Sequence, residues 1–102
     1  MTYTIVIKEE AYLDLQQAYD YYEKQSPGLG ERFLENVRQR IVYLQKYPLH
    51  FIKVEKDFRQ ALVDVFPYLI IYEISGHKVI VYAVFHGKQN PKKKFGPSIR
   101  TI

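Results

Sequence analysis

Three apolar runs between residues 58 and 86 dominate the pattern of hydrophobic and polar positions along the chain. These runs are separated by Phe66-Pro67 and by the Ser-Gly-His-Lys segment at 75–78. Short apolar runs that are interrupted by Gly and Pro are typical of adjacent antiparallel strands. Residues 69–74 and 79–85 are almost continuously apolar or aromatic, whereas a half-exposed strand would alternate. We therefore predict strands at about 58–66, 67–75 and 78–86, with both faces of the sheet covered.

The N-terminal half of the chain has other periodicities. Residues 2–8 alternate, with Tyr3, Ile5 and Ile7 on one side, and predict a first strand at a sheet edge. From residue 9 the apolar spacing becomes helical, and two helices follow. Ser26-Pro27-Gly28 ends the first helix near Gln25 and provides a cap for the second. The second helix ends by Tyr47, because Pro48 disfavours helical geometry in the residue before it.

This order of elements predicts an α+β fold: an N-terminal strand, an antiparallel helical hairpin and a three-stranded antiparallel meander, with the helices on one face of the sheet. Residues 49–57 are predicted to be a loop. The length of 102 residues predicts one domain, which we assign to residues 1–91. Residues 92–102 lack a core pattern and are expected to form a basic, mobile tail. Five of the ten tyrosines lie on the helices, where we favour packing over an exposed partner surface; they are Tyr12, Tyr19, Tyr21, Tyr22 and Tyr43.

Composition narrows the possible functions. The chain has no cysteine, so it can form neither a disulfide framework nor a thiolate metal site. No apolar run approaches the roughly 18 residues that a membrane span needs, and the start of the chain lacks an apolar signal region, so we expect a cytoplasmic protein. The net charge of +4 is uneven: residues 1–50 have 7 acidic and 6 basic side chains, whereas residues 51–102 have 4 acidic and 9 basic. A basic sheet half favours nucleic acid or an acidic partner.

Several chemistries can be set aside, and one group of cations remains. Gly28-Leu29-Gly30 is too short for a phosphate-binding loop, and the histidines lack metal-ligand spacing, so we predict neither a metal nor a small-molecule cofactor. The cations that we expect along one margin of the sheet are Lys53, Lys56, Arg59, His86 and Lys88. Two of them also have a purely structural interpretation: Arg59 pairing with a nearby carboxylate, and His86 capping a backbone carbonyl.

The residues that carry a resemblance are Arg59, Phe66-Pro67-Tyr68, Tyr72, Val84-Phe85-His86, Lys88 and Pro91. With the preceding strand and helical hairpin, their order resembles the RelE/ParE superfamily of toxins from type II toxin–antitoxin systems, which includes plasmid stabilisation proteins. The resemblance covers nearly the full chain. It implies a compact α+β toxin neutralised by a small cognate antitoxin from a neighbouring gene.

The resemblance implies two alternative activities. ParE-like members inhibit DNA gyrase, whereas RelE-like members cut messenger RNA on the ribosome without a metal. For cleavage, we hypothesise that Arg59 and Lys88 hold phosphate while His86 moves a proton. Target contacts would come from Lys53, Lys56, Lys92, Lys93 and Lys94. A non-toxic basic binding module of the same fold is a third possibility.

Two departures favour the ParE-like activity. RelE-like enzymes usually have an arginine-rich stretch after the last strand and a catalytic tyrosine near the C-terminus. Here the stretch reads Lys88-Gln89-Asn90, and no tyrosine follows Tyr82. Lysines supply point charges in place of planar guanidinium forks. We therefore predict a gyrase inhibitor, with the ribonuclease as the alternative.

Overall fold

The structure, a computed structural model, describes residues 2–88 and contains two helices packed on one face of a five-stranded sheet. The elements are β1 (Thr4–Ile7), α1 (Glu9–Gln25), α2 (Leu29–Lys46), a 3-10 turn (Pro48–His50), β2 (Lys53–Glu55), β3 (Phe58–Leu62), β4 (Tyr68–Ser75) and β5 (Lys78–His86). The strand order is β1-β5-β4-β3-β2, with β1 parallel to β5 and every other pair antiparallel. The predicted α+β class, the element order and the edge position of β1 are confirmed.

The connection between the helices is capped differently from the prediction. The residue before α2 is Gly28, which has a φ of 86°, and no side-chain cap from Ser26 is present. Instead, the carboxylate of Glu23 accepts hydrogen bonds from the backbone N–H groups of Gly28 (3.0 Å) and Gly30 (2.9 Å). A carboxylate at this position satisfies N–H groups that have no partner within the helix and complements the positive end of its dipole. The last turn of α1 therefore caps the start of α2.

The sheet differs from the prediction in two places. The predicted loop 49–57 contains the 3-10 turn and the short strand β2, so the antiparallel part of the sheet has four strands. β3 ends at Leu62, four residues before the predicted end, because the following backbone turns away and Val65 adopts a φ of 72°. This left-handed conformation is unfavourable for a β-branched residue and is incompatible with a continuing strand. Pro67, which has no N–H, precedes β4.

Both faces of β4 and β5 are buried, as predicted. The face toward the helices includes Ile70, Tyr72 and Val81, which pack in the main core with Phe33 of α2. The opposite face has a smaller cluster of Ile71, Ala83 and Phe85, each at most 2% exposed. The register between β4 and β5 shifts between Ile71 and Tyr72. This bulge allows the residues of each cluster to stay on the same face of the sheet along both strands.

The helix tyrosines only partly follow the packing interpretation. Tyr22 lies among the core aromatic rings, with centroid distances of 5.4 Å to Phe33 and 4.9 Å to Phe66. Tyr12 and Tyr21 are instead more than half exposed, at 59% and 56%. Within residues 2–88, neither helix has the length and apolar content needed to cross a membrane.

Candidate functional site

His86 and Lys88 lie together where β5 ends. His86 is opposite Tyr68 in the β4–β5 register, and their ring centroids are 5.4 Å apart. The chain then turns, held by a 2.6 Å hydrogen bond from the N–H of Gly87 to the carbonyl of Pro67. The backbone N–H of Lys88 donates to Nδ1 of His86 at 3.0 Å. Because Nδ1 accepts, the neutral form of the imidazole carries its proton on Nε2.

A cleft of about 470 Å³ opens between this end of β5 and α1. Its walls come from α1 and from the β4–β5 pair; the polar and aromatic residues lining it are Asp14, Gln17, Tyr21, Tyr68, Phe85, His86 and Lys88. Oδ2 of Asp14 accepts a 2.9 Å hydrogen bond from the N–H of Val84. β1 ends at Ile7, which pairs with Val81, so this contact lies beyond the stretch of β5 that β1 covers. The cleft therefore combines the carboxylate of Asp14, the ammonium of Lys88, the imidazole of His86 and aromatic rings.

Arg59 lies on β3 and supports the backbone. Its Nη1 donates to the carbonyl of Phe51 at 2.6 Å, in place of the carboxylate partner considered from the sequence. Lys53 is opposite Arg59 in the β2–β3 register, and its Nζ lies 3.4 Å from Oδ1 of Asp57. Lys56, with a φ of 49°, lies in the turn between β2 and β3. This second group of cations is at the open edge of the sheet.

The structure brings the predicted cations together in two groups, not one. Arg59 pairs with Tyr72, whereas His86 pairs with Tyr68. The two are thus four residues apart along β4 and two strands apart across the sheet. This corresponds to roughly 16 Å between their Cα atoms. Lys92, Lys93 and Lys94 lie outside the described residues.

The tyrosines near the sheet are held as neutral phenols. Burial raises the pKa of Tyr72 to about 12, although the guanidinium of Arg59 partly opposes it. Burial also raises the pKa of Tyr82 to about 12, assisted by the carboxylate of Glu73, which accepts its hydroxyl at 3.0 Å. The pKa of Tyr68 is raised as well, mainly by burial. None of these three phenols supplies a base near neutral pH.

Arg40 is a cation with several partners that the sequence did not single out. From α2 its Nε donates to the carbonyl of Leu62 at 2.8 Å, and its Nη2 lies 2.9 Å from Oδ1 of Asp64. The guanidinium also lies 5.4 Å from the ring centroids of Tyr43 and Phe51. In the sequence Arg40 is one of several charges on the polar side of a helix, and no local signal distinguishes it.

Among residues 2–88, no three His, Cys, Asp or Glu side chains converge in a way that could hold a metal ion.

Known proteins similar to this chain are toxins. A family model for the ParE toxin of the type II toxin–antitoxin system parDE matches residues 5–91. Toxin ParE2 of Mycobacterium tuberculosis, matched in two strains, is 29% identical over 82 residues, which is 76% of this chain and 75% of the relative.

Solved structures share the fold at low identity. A chain of the chromosomal ParDE system from P. aeruginosa has a TM-score of 0.73 at 14% identity, covering 83% of this chain and 96% of that one. A mutant of the E. coli toxin RelE in the free state has a TM-score of 0.60 at 14% identity, covering 100% of this chain and 99% of that one. The RelE–RelB complex from Pyrococcus horikoshii has a TM-score of 0.54 at 21% identity, covering 88% and 100%. Because the ParE family model matches most of this chain, residues 5–91, the chain belongs to the ParE toxin family of type II toxin–antitoxin systems.

Proposed function

We propose that this toxin inhibits bacterial growth as a ParE-like inhibitor of DNA gyrase, acting by binding and not by cleaving nucleic acid. The family model that matches residues 5–91 is that of ParE toxins, the branch expected to act on gyrase. A cognate antitoxin is its expected partner, which is supported by toxin–antitoxin systems among the similar structures.

The separation of the cations carries this proposal. A metal-free ribonuclease must hold the phosphate with cations and move protons at the same atoms, within hydrogen-bond reach. Arg59 lies roughly 16 Å from His86 between Cα atoms, and its guanidinium is engaged by the Phe51 carbonyl. Nδ1 of His86 is occupied by the N–H of Lys88. This separation argues against Arg59 and His86 acting on one phosphate.

Inhibition of gyrase by binding does not require Arg59 and His86 to meet at one group of atoms. Lys53 and Lys56 are exposed at the β2–β3 edge, and residues 51–102 contain 9 basic against 4 acidic side chains. We assign these two lysines, together with Lys92, Lys93 and Lys94, to contacts with the target. Such exposed charges speed association and orient the partner more than they add affinity.

The decisive experiment runs two assays in parallel. Purified toxin is added to a gyrase supercoiling reaction and, separately, to ribosomes translating a defined message. We expect supercoiling to be lost and the message to stay intact. A Lys53→Glu/Lys56→Glu variant should inhibit gyrase less at an unchanged melting temperature. A Lys24→Glu/Lys78→Glu variant, which makes the same charge change at two exposed positions away from the β2–β3 edge, serves as the charge-matched control. Cleavage between codons without loss of supercoiling would refute the proposal.

The RelE-like ribonuclease remains the second candidate because His86 and Lys88 share one cleft with Tyr68. In that case His86 would move the proton, and Arg59 and Lys88 would hold phosphate. The His86→Ala/Arg59→Ala variant would then lose all cleavage, and His86→Gln alone would lose most of it without touching the Arg59 contact. Toxicity that persists in a folded double variant removes both residues from the site.

A non-toxic basic binding module of the same fold is excluded or supported by one simple measurement. Induced expression of the chain in a bacterial host without the antitoxin should arrest growth. Unchanged growth, with the protein present and folded, would instead identify a degenerate toxin.

A further inference from the structure

Leu49, in the turn that follows α2, lies between two hollows of the surface. The first hollow has a volume of about 420 Å³, and its other lining residues are Tyr3, Lys46, Tyr47, Pro48 and His50. The second, of about 180 Å³, lies at the open edge of the sheet, and its other lining residues are Lys53, Asp57, Arg59, Glu73 and Ile74. Because Leu49 lines both, it forms a ridge between them. We call Leu49 together with the two hollows the Leu49 ridge.

The Leu49 ridge exposes apolar side chains to water. Leu49 is 67% exposed, and Tyr47, in the first hollow, is 55% exposed. Exposed apolar side chains that adjoin one another mark an interaction surface, whereas single ones need no explanation. Tyrosine is also among the residues that most often dominate the energy of an interface. We therefore expect the occupant of this surface to be apolar where it meets Leu49 and Tyr47.

The turn that carries Leu49 is held on both sides. The carbonyl of Pro48 accepts a hydrogen bond from the hydroxyl of Tyr72, and the carbonyl of Phe51 accepts one from Arg59. Both donors belong to the sheet, so the backbone of the turn is fixed before anything binds. A surface that is already ordered loses little conformational entropy on association.

The two hollows differ in charge. The second contains two cations and two carboxylates, which balance: Lys53, Arg59, Asp57 and Glu73. None of the described residues that line the first hollow is acidic. Its Lys46 is exposed and takes part in no ion pair within residues 2–88. A carboxylate of the occupant is therefore favoured beside Lys46.

This combination of groups fits a protein better than it fits nucleic acid. Single-stranded nucleic acid is bound by aromatic rings along a positively charged groove. The ridge itself is aliphatic, and one of its two hollows is balanced in charge. A second copy of the chain is a poor occupant, because a two-fold contact centred on Leu49 would bring the two copies of Lys46 near each other.

We propose that the Leu49 ridge is the apolar anchor of the contact with the target protein: Leu49 enters an apolar pocket of the target, and Lys46 meets a carboxylate at the rim of that pocket. This assignment rests on the proposed inhibition of gyrase, and it adds a source of affinity to the lysines that orient the partner. The two roles differ in kinetics. Exposed charges act mainly on the association rate, whereas a buried apolar anchor acts mainly on the dissociation rate.

The test measures the kinetics of binding of the purified toxin to immobilised gyrase, without DNA, by surface plasmon resonance. Leu49→Asp and Tyr47→Asp should each raise the dissociation rate by about tenfold or more, with little change in the association rate. Lys46→Glu should make binding less sensitive to salt. Leu49→Asp and Tyr47→Asp should also weaken growth arrest when they are expressed in a bacterial host.

Three variants on α1 serve as matched controls. Leu13→Asp and Tyr12→Asp make the same changes at side chains of similar exposure, 57% and 59%. Lys24→Glu makes the same charge change as Lys46→Glu at another exposed lysine. All three should bind gyrase and arrest growth as the unmodified chain does. Equal melting temperatures of the ridge and control variants show that the fold is intact.

The possible results separate this inference from the proposed function. Dissociation from gyrase that Leu49→Asp and Tyr47→Asp leave unchanged refutes the anchor and leaves gyrase inhibition in place. A toxin that does not bind gyrase refutes the proposed function. Growth arrest then decides the anchor, which is supported if both ridge variants lose arrest while the controls keep it, and is refuted otherwise. Binding to DNA alone that Leu49→Asp abolishes, or a dimer of the chain that it dissociates, refutes the anchor in favour of those occupants.

Discussion

The hydroxyl of Tyr72 donates a 2.6 Å hydrogen bond to the backbone carbonyl of Pro48. Tyr72 is fully buried in the middle of β4, and Pro48 begins the turn that follows α2. Arg59, opposite Tyr72 on β3, holds the same turn through the carbonyl of Phe51. Two side chains of the sheet therefore fix the connection from the helices to the open sheet edge.

Replacing Tyr72 by Phe tests the strength of this attachment. The ring is kept, but the buried carbonyl of Pro48 loses its partner, so we expect the free energy of unfolding to fall by about 1–3 kcal/mol. Urea unfolding followed by circular dichroism measures this change. Tyr12→Phe, which removes an exposed hydroxyl, should stay within about 0.5 kcal/mol of the unmodified protein. A similar small change for Tyr72→Phe would show that the hydrogen bond adds no stability.

Stability should fall in alkali because of Tyr72 and Tyr82. Both have folded-state pKa values raised from 10.0 to about 12. The folded state therefore binds more protons than the unfolded state in this range. The stabilisation is fully present below pH 10 and is lost as pH rises toward 12. Urea midpoints measured from pH 8 to pH 12 should decline less steeply in Tyr82→Phe than in the unmodified protein. Parallel curves would contradict the raised pKa.

We expect Arg40 to stabilise the fold more through its contacts with uncharged groups than through its ion pair with Asp64. Asp64 is 70% exposed in its side chain, and an exposed pair of this kind contributes about 0–1 kcal/mol. Asp64→Asn should therefore change the free energy of unfolding little. Arg40→Lys keeps the charge but loses the planar donor to the Leu62 carbonyl and the stacking on Tyr43, at a cost of about 1–2 kcal/mol. A larger loss in Asp64→Asn than in Arg40→Lys would assign the contribution to the ion pair.

Val65 offers a site where a substitution should stabilise the protein. Its φ of 72° is unfavourable for a β-branched side chain, and it is 79% exposed, so little packing is lost on replacement. Val65→Asn should raise the free energy of unfolding by about 1 kcal/mol, since asparagine tolerates this conformation. Val54→Asn, at an exposed strand position without positive φ, should give no gain. Thermal unfolding of the two variants decides between these outcomes.

The sequence predicts the parts of this fold that depend on periodicity. The helical spacing and the stops at Ser26 and Pro48 locate α1 and α2, and the continuous apolar runs locate β4 and β5 with both faces buried. β2 was missed because Lys53–Glu55 is short and polar, and its strand conformation is imposed by pairing with β3. The early end of β3 was missed because the left-handed conformation of Val65 is unfavourable for a β-branched residue and no sequence pattern indicates it.

The candidate site was less predictable, for a geometric reason. Residue type alone places Arg59 and His86 in one group of cations, but their separation depends on register, which pairs them with different residues of β4. Arg59 also appeared suited to phosphate, whereas its partner is a backbone carbonyl that no sequence pattern reveals. The Leu49 ridge could be found only once the turn after α2 was placed beside the open edge of the sheet.

The parallel pairing of β1 with β5 has a consequence during synthesis. Thr4–Ile7 can enter the sheet only beside Lys78–Val81, which the ribosome produces near the end of the described chain. Such distant contacts form late, because the long intervening segment must first be ordered. Premature termination before β5 would therefore leave a fragment in which β1 has no strand to pair with, so the sheet is completed only after β5 has been synthesised.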